Sequence, residues 1–298
     1  MTPTNKPVSS APCRQHMALP AGPVISVLTP AYNASHYLTA LIESVRSQDY
    51  AYIEHIIIDD GSCDDSQTVT ILKQYPHLKW QSRPNHGQYH TQNSLLRLAT
   101  GDYVTFICAD DLYAHQAAIS SIVNRIRLHP GVDIVFGRTP RLVDYEPKLS
   151  YHADISGYLA RHIVRHFPAI QHCSVFVRRD LLLQEHLFFD PSYRMRGDWD
   201  WLIRLFNRAA SIEYVPEDIT YWRMHALQTS RLAYTHGQGE TKRVCAHHGT
   251  RYAFHTLCAK VAAYYSIIRY AIAICSGYGP AQLVKTASRA LLRRTTTS

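Results

Sequence analysis

Along the first half of the chain, short apolar runs alternate with segments whose apolar residues recur at helical spacing. Val24 to Leu28 is a run of strand length that ends at Thr29-Pro30. Leu38, Leu41, Ile42 and Val45 then repeat at i, i+3, i+4 and i+7, which gathers them on one face of a helix. Glu54-His-Ile-Ile-Ile58 reads as a second buried strand, followed by a helix from about Asp64 to Tyr75 that Asp64 or Asp65 would cap. A third short strand is expected near Leu78 to Gln81 and a helix over about Thr91 to Ala99. Another strand starts at Tyr103; Ile119, Ile122, Val123 and Ile126 share a helix face, and Asp133 to Gly137 reads as a strand. Strands alternating with amphipathic helices predict an α/β fold, a mostly parallel sheet flanked by helices on both faces. From Tyr151 the pattern is less regular. His172 to Val177 reads as a strand, and Trp199, Leu202, Ile203 and Phe206 mark a helix that starts at Gly197-Asp198.

The chemistry gathers where these strands end. In Tyr103-Val-Thr-Phe-Ile-Cys-Ala-Asp-Asp-Leu112 a buried-strand pattern runs into two adjacent carboxylates. Asp110 and Asp111 repel each other, and a divalent cation, a bridging water or strong donors would relieve that. Taken alone, an Asp-Asp pair is more often a solvated acidic turn. Three further polar clusters change that balance: Pro30-Ala-Tyr-Asn33, Asp59-Asp-Gly-Ser62 and Asp198-Trp-Asp200. Carboxyl ends of parallel strands converge, so the clusters after the first, second and Asp-Asp strands should line one crevice. Neither a Gly-x-Gly-x-x-Gly fingerprint after the first strand nor a phosphate-binding Gly-x-x-x-x-Gly-Lys-Ser/Thr loop is present. A nucleotide held without either needs a metal for its phosphates.

The ordered set Thr29-Pro-Ala-Tyr-Asn33, Ile58-Asp-Asp-Gly-Ser62, Gly87-Gln-Tyr-His-Thr-Gln-Asn93, Thr100-Gly-Asp102, Ala109-Asp-Asp-Leu112, Arg178-Arg179, Gly197-Asp-Trp-Asp-Trp-Leu-Ile-Arg204 and Tyr221-Trp-Arg-Met-His225 resembles the family 2 glycosyltransferases. These are inverting enzymes on a GT-A fold. The resemblance covers about residues 24 to 230. It implies that Pro30, Ala31 and Tyr32 meet the nucleobase and that Asp60 accepts a hydrogen bond from it, with Asn33 also binding the nucleotide donor, while Asp59 supports the loop. It further implies that Asp110 and Asp111 serve the donor and its metal, Mg²⁺ or Mn²⁺, with Asn93, Arg223 and His225 on the donor side. Cys108 stands where the family often has its first acidic residue, and His90 where related sequences often have another. Asp198 aligns with the catalytic base, although Asp before a helix is also a favoured cap. His172 and Asp200 are candidates for the acceptor side. The implied donor is a UDP-, GDP- or dTDP-linked sugar, the acceptor a glycan or lipid-linked glycan, and the setting polysaccharide or lipopolysaccharide assembly at a bacterial envelope. Two other classes compete: a nucleotidyltransferase making nucleotide sugars, which should show a Gly-rich basic phosphate loop, and a non-catalytic nucleotide-sugar-binding relative, which Cys108 would suit and Asp198 would not.

Composition adds the surroundings. Seven scattered cysteines without a Cys-x-x-Cys pair do not form a disulfide framework, which fits a reducing cytoplasm. Residues 1–21 lack the apolar stretch of a secretory signal and read as a disordered leader. The expected catalytic domain is 22–230. The formal net charge of +8 belongs to the C-terminal segment, because residues 231–298 carry ten Lys and Arg against Glu240 alone. No groove-reading motif accompanies that charge, so the reading is no nucleic acid and instead a basic helical extension against an anionic membrane surface, on the cytoplasmic face of the inner membrane. In that extension Leu257, Val261, Tyr264, Tyr265, Ile268 and Ile272 share a face, and Lys285, Arg289 and Arg293 form a basic stripe. Arg269 in its apolar stretch would cost roughly 2.5 to 3.5 kcal/mol at a bilayer centre, which argues against a span. His247-His248 has no neighbour at metal-ligand spacing in the sequence.

Overall fold

Eleven strands and eight helices, with further helical residues at 252–258 and 260–261, are described in a computed structural model of the protein, over residues 22–143, 146–148, 157–225, 228, 237–258 and 260–261. The expected leader, the basic stripe and most of the extension's apolar face lie outside the described residues. In chain order the strands are β1 (Ile25–Ala31), β2 (Ile53–Asp59), β3 (Lys79–Ser82), β4 (Tyr103–Phe106), β5 (Leu112–Tyr113), β6 (Ile134–Arg138), β7 (Arg141–Val143), β8 (Glu146–Lys148), β9 (Val175–Arg178), β10 (Ile212–Asp218) and β11 (Thr220–Arg223). The helices are α1 (Ser35–Arg46), α2 (Gln67–Lys73), α3 (Gln88–Leu98), α4 (Ala118–Leu128), α5 (Gly157–His166), α6 (Arg179–Gln184), α7 (Gly197–Arg208) and α8 (Gln238–His247).

The central sheet has seven strands in the order β10-β6-β9-β4-β1-β2-β3. Among these strands only β9 opposes its neighbours, pairing antiparallel with β4 and β6. The inner strands β1, β2 and β4 are buried on both sides, as the apolar runs predict. Leu28, Ile56 and Ile58 face one core with Leu95 and Leu96 of α3 and Trp199, Leu202 and Phe206 of α7. Their chain neighbours Val27 and Ile57 face the other with Leu38, Leu41 and Ile42 of α1 and Ile119, Ile122 and Val123 of α4. This is the period-two alternation of a strand applied to residues that are apolar on both faces. The two indoles of α7 are satisfied inside the core, Trp199 donating to the Val164 carbonyl at 2.7 Å and Trp201 to that of Leu187 at 2.8 Å.

Three expectations change in detail. The segment 172–177 is not one strand: His172–Ser174 is a 3-10 turn and β9 begins at Val175. Because β9 runs against the sheet, its start lies level with the ends of β4 and β6, which delivers His172 to the crevice side. Second, α2 begins at Gln67, and Asp64 serves it from outside by accepting from the Thr68 N–H and hydroxyl at 3.3 and 2.6 Å. Third, the packed unit does not stop at residue 230: Val244 and Cys245 of α8 are buried in the same core as α7. A second, four-stranded sheet runs β5-β11-β7-β8. Short as it is, it carries residues 220–223 back beside 112–113.

Candidate active site

The carboxyl ends of β1, β2 and β4 lie side by side, since β1 pairs in parallel with both neighbours. After β1 the chain turns at Asn33, whose φ of 49° is in the left-handed region that Asn tolerates better than most residues. The Asn33 N–H donates to Ser62 Oγ, and its Oδ1 accepts from the Cys63 N–H, both at 2.8 Å. The loops after β1 and β2 are thereby locked together. Asp59 accepts from the hydroxyls of Ser62 and Ser82, so it ties its own loop to the end of β3. Asp60 is buried and receives the N–H groups of His86 and Gly87, the latter at 2.8 Å, with the Arg83 guanidinium 3.4 Å away. Beside this frame Ala31 is buried, Pro30 is half-buried, and the ring of Tyr32 stands 51% exposed.

Past β4 a tight turn, closed by the Asp111 N–H to the Cys108 carbonyl at 3.0 Å, puts Cys108, Asp110 and Asp111 together. One donor atom from each lies within 4.8 Å of the others. Asp111 is only 3% exposed, and burial together with the neighbouring charge of Asp110 pushes its carboxyl well above the usual carboxylate range. The small sheet supplies positive and donating groups. Asp111 Oδ1 accepts the Arg223 N–H at 3.1 Å, and His225 Nε2 lies 2.9 Å from Asp110 Oδ2. The Tyr37 ring lies 4.5 Å from that of His225 and carries the Arg223 guanidinium 4.9 Å from its centroid. The Nε of Arg223 is buried without a hydrogen-bond partner.

Asp198 is the second residue of α7; the cap position belongs to Arg196. Its Oδ1 accepts the Trp199 N–H at 2.8 Å and faces the Tyr89 hydroxyl at 3.5 Å. Its Oδ2 faces His172 Nδ1 at 3.7 Å, and His172 Nε2 lies 3.7 Å from Cys108 Sγ. Burial holds the His172 imidazole below its ordinary value, against the pull of Asp198 and Asp110. A polar line thus runs from Asp198 through His172 and Cys108 to the Asp110–Asp111 pair and on to His225. Gly197 is required where it stands, because a Cβ there would meet the Tyr89 ring at 2.7 Å.

Two sequence candidates turn elsewhere. Asn93 is buried and clamps the backbone of Phe189, donating to its carbonyl and accepting its N–H at 2.8 Å each; its amide is spent on packing rather than offered to a donor. Asp200 is 1% exposed and sits under Arg204, 2.9 Å away, and His248, 2.8 Å away, so it joins helices instead of meeting an acceptor. Burial works against its charge, but the His248 hydrogen bond and Arg204 outweigh it and hold the carboxyl below its usual range. His247-His248 does have a partner after all, namely Asp200, which local spacing does not reveal. Sequence reasoning missed Tyr89, which accepts the Gly197 N–H at 3.0 Å, and Glu240. The Glu240 carboxylate accepts three successive backbone N–H groups, those of Arg194 at 2.8 Å and of Met195 and Arg196 at 2.9 Å. The only signal for it was an isolated acid in a basic segment.

Known proteins are similar to this chain in sequence and fold. The family model described as "Glycosyl transferase family 2" matches residues 26–185. An uncharacterised glycosyltransferase of Rickettsia prowazekii is 26% identical over 221 residues, covering 71% of this chain and 67% of the relative. The chondroitin synthase of Escherichia coli is 28% identical over 187 residues, but the match spans 61% of this chain and only 26% of that protein. Among solved structures, Staphylococcus aureus TarS residues 1–349 in complex with UDP-GlcNAc has a TM-score of 0.59 at 21% identity, covering 71% of this chain and 61% of that one. A mannosyltransferase of Pyrobaculum calidifontis in complex with GDP-Man and Mn²⁺ has a TM-score of 0.58 at 16% identity, covering 96% and 84%. Sheet order, strand-end motifs and family match agree, and the chain belongs to glycosyl transferase family 2, on the GT-A type of α/β fold.

Proposed function

We propose that the protein transfers a sugar from a nucleoside diphosphate sugar to a carbohydrate or lipid-linked acceptor with inversion at the anomeric carbon, in assembly of a cell-surface glycan. The observation that carries this reading is the convergence of Asp110, Asp111, Arg223 and His225 on one end of the sheet, with the carboxylate of Asp198 joined to them through His172. Solved relatives holding UDP-GlcNAc and GDP-Man support the donor class.

The exposed ring of Tyr32 is a flat apolar surface for a base, and Asp60 stands behind it as acceptor. Asp110 and Asp111 fit a divalent cation, Mg²⁺ or Mn²⁺, because two carboxylates held together with one of them buried need positive charge. Such an ion, when bound, neutralises the diphosphate leaving group. Arg223 and His225 add donors at the same place, as electrostatic stabilisation of a leaving group requires. For Asp198, the Trp199 N–H occupies Oδ1, which leaves Oδ2 as the oxygen with a lone pair for the proton of the attacking hydroxyl. The reading keeps a place for the basic segment 231–298 as a contact with an anionic membrane face.

The test is a thermal-shift screen of UDP, GDP, dTDP and their sugars with and without Mn²⁺. A ligand at 100 times its dissociation constant stabilises by about 2.7 kcal/mol. Stabilisation by one nucleotide class, followed by transfer from its sugar, is the expected result; no stabilisation by any of them with Mn²⁺ present rejects the reading.

A further inference from the structure

This chain places a sulfur beside its two site carboxylates. Cys108 Sγ and one oxygen from each of Asp110 and Asp111 lie within 4.8 Å of one another. Donors bonded to a single ion at about 2.0 to 2.3 Å stand up to about 4.5 Å apart, so the set needs only slight closure to share one. The turn that closes Asp111 onto the Cys108 carbonyl holds the three on the same side.

The thiol also has polar company of its own. His172 Nε2 is 3.7 Å from the sulfur and the Gln88 amide 3.9 Å. The His172 side chain is 9% exposed, and its other nitrogen, Nδ1, faces Asp198 at 3.7 Å. Cys173 offers the contrast. It lies one residue beyond His172, takes a hydrogen bond from the Thr220 hydroxyl at 3.4 Å and belongs to no such donor set among the described residues.

We propose that Cys108 is itself a ligand of the cation held by Asp110 and Asp111, forming a mixed sulfur and oxygen site that takes Mn²⁺, Co²⁺ or Zn²⁺ in preference to Mg²⁺. The proposal rests on the metal reading of that carboxylate pair and deepens it. Mg²⁺ is hard and keeps oxygen ligands in near-ideal octahedral geometry, whereas thiolate ligands favour softer ions. As the metal–sulfur bond forms, the S–H bond breaks and its proton passes to bulk water. The sulfur would then set the choice of metal.

The experiment uses the full chain titrated with Co²⁺, alone and with UDP or GDP, and reads the thiolate-to-Co²⁺ charge-transfer absorption in the near ultraviolet. Wild type should develop the band. Cys108→Ser should lose it while calorimetry still registers Co²⁺ binding, weakened at least about tenfold, equivalent to about 1.4 kcal/mol. Cys108→Asp should also lose the band and should narrow the gap between Mn²⁺ and Mg²⁺ affinity. Circular dichroism and melting of each variant separate a lost ligand from a lost fold, and Cys108→Ala serves as a second variant if one of them melts early. A band that survives in Cys108→Ser, or Co²⁺ binding to wild type without a band, overturns the sulfur ligand and leaves the carboxylate reading intact. No Co²⁺ binding to wild type with any nucleotide overturns both.

Discussion

Oδ2 of Asp198 and Nδ1 of His172 stand 3.7 Å apart, too far for a direct hydrogen bond and close enough for one hydroxyl to reach both. The side chain of Asp198 is 30% exposed and that of His172 9%, so the carboxylate meets solvent on one side and a neutral imidazole on the other. Its other oxygen is held by the Trp199 N–H and faced by the Tyr89 hydroxyl.

Asp198→Asn keeps an oxygen for the Trp199 N–H, and the cap position is Arg196, so the fold should be retained. Transfer should fall by roughly 10² to 10⁴, the usual worth of a positioned general base, with donor affinity within about threefold of wild type. Turnover at saturating donor and acceptor decides the matter. Activity within about threefold of wild type rejects Asp198 as base.

His225→Ala removes the group that faces Asp110 at 2.9 Å and leaves two carboxylates less compensated. A hydrogen bond to a charged group contributes about 1.5 to 3 kcal/mol, so nucleoside diphosphate affinity should drop at least about tenfold. Isothermal titration at fixed Mn²⁺ measures it. Unchanged affinity would assign His225 to holding the small sheet alone.

Glu240→Ala releases three backbone N–H groups ahead of α7. Loss of charge-assisted bonds should lower stability by about 1.5 to 3 kcal/mol and turnover with it, while donor affinity on the β1–β2 side stays near wild type. Glu240→Gln should fall between. Chemical denaturation with turnover and donor binding measured on the same samples provides the check; a donor affinity that falls as far as turnover would point to general loosening.

Acid sensitivity should trace to β2. His55 is buried, and burial, with His77 adding to it, lowers its pKa to about 3 from 6.5. The unfolded chain therefore binds a proton that the folded chain refuses, and stability present above pH 6.5 is lost progressively as pH falls towards 3. Glu54 is held at about 2 against an ordinary 4.5: burial opposes its charge, but Lys79, Ser26 and Thr100 outweigh it by hydrogen bonding. Its contribution is present above 4.5 and lost between 4.5 and 2. Melting temperature against pH should fall in both windows. Glu54→Gln should flatten the lower one and leave the upper; an unchanged lower slope would dismiss Glu54.

How much of this was legible depends on range. Ile56, Ile57 and Ile58 announce a doubly buried strand by their unbroken apolar run, and a polar cluster directly after such a run marks the strand end. Partner choice across the fold was not legible. Nothing local tells that Asn93 will face Phe189, that Asp200 will meet His248, or that residues 172–174 will turn before β9 reverses direction. Each depends on which elements pack together, and periodicity reports burial without naming the neighbour.

The small sheet also sets when the site can exist. Arg223 meets Asp111 across 112 residues and His225 meets Asp110 across 115, both through β11, whose partner β5 is two residues long. Closing so long a loop costs only a logarithmic entropy, but it has to wait for the later segment to be made. On the ribosome, β1 to β4 can pair while Asp110 and Asp111 still lack their late cation and imidazole. Under the proposed reading, donor affinity should therefore appear only once residues 220–225 have emerged and met Asp110 and Asp111.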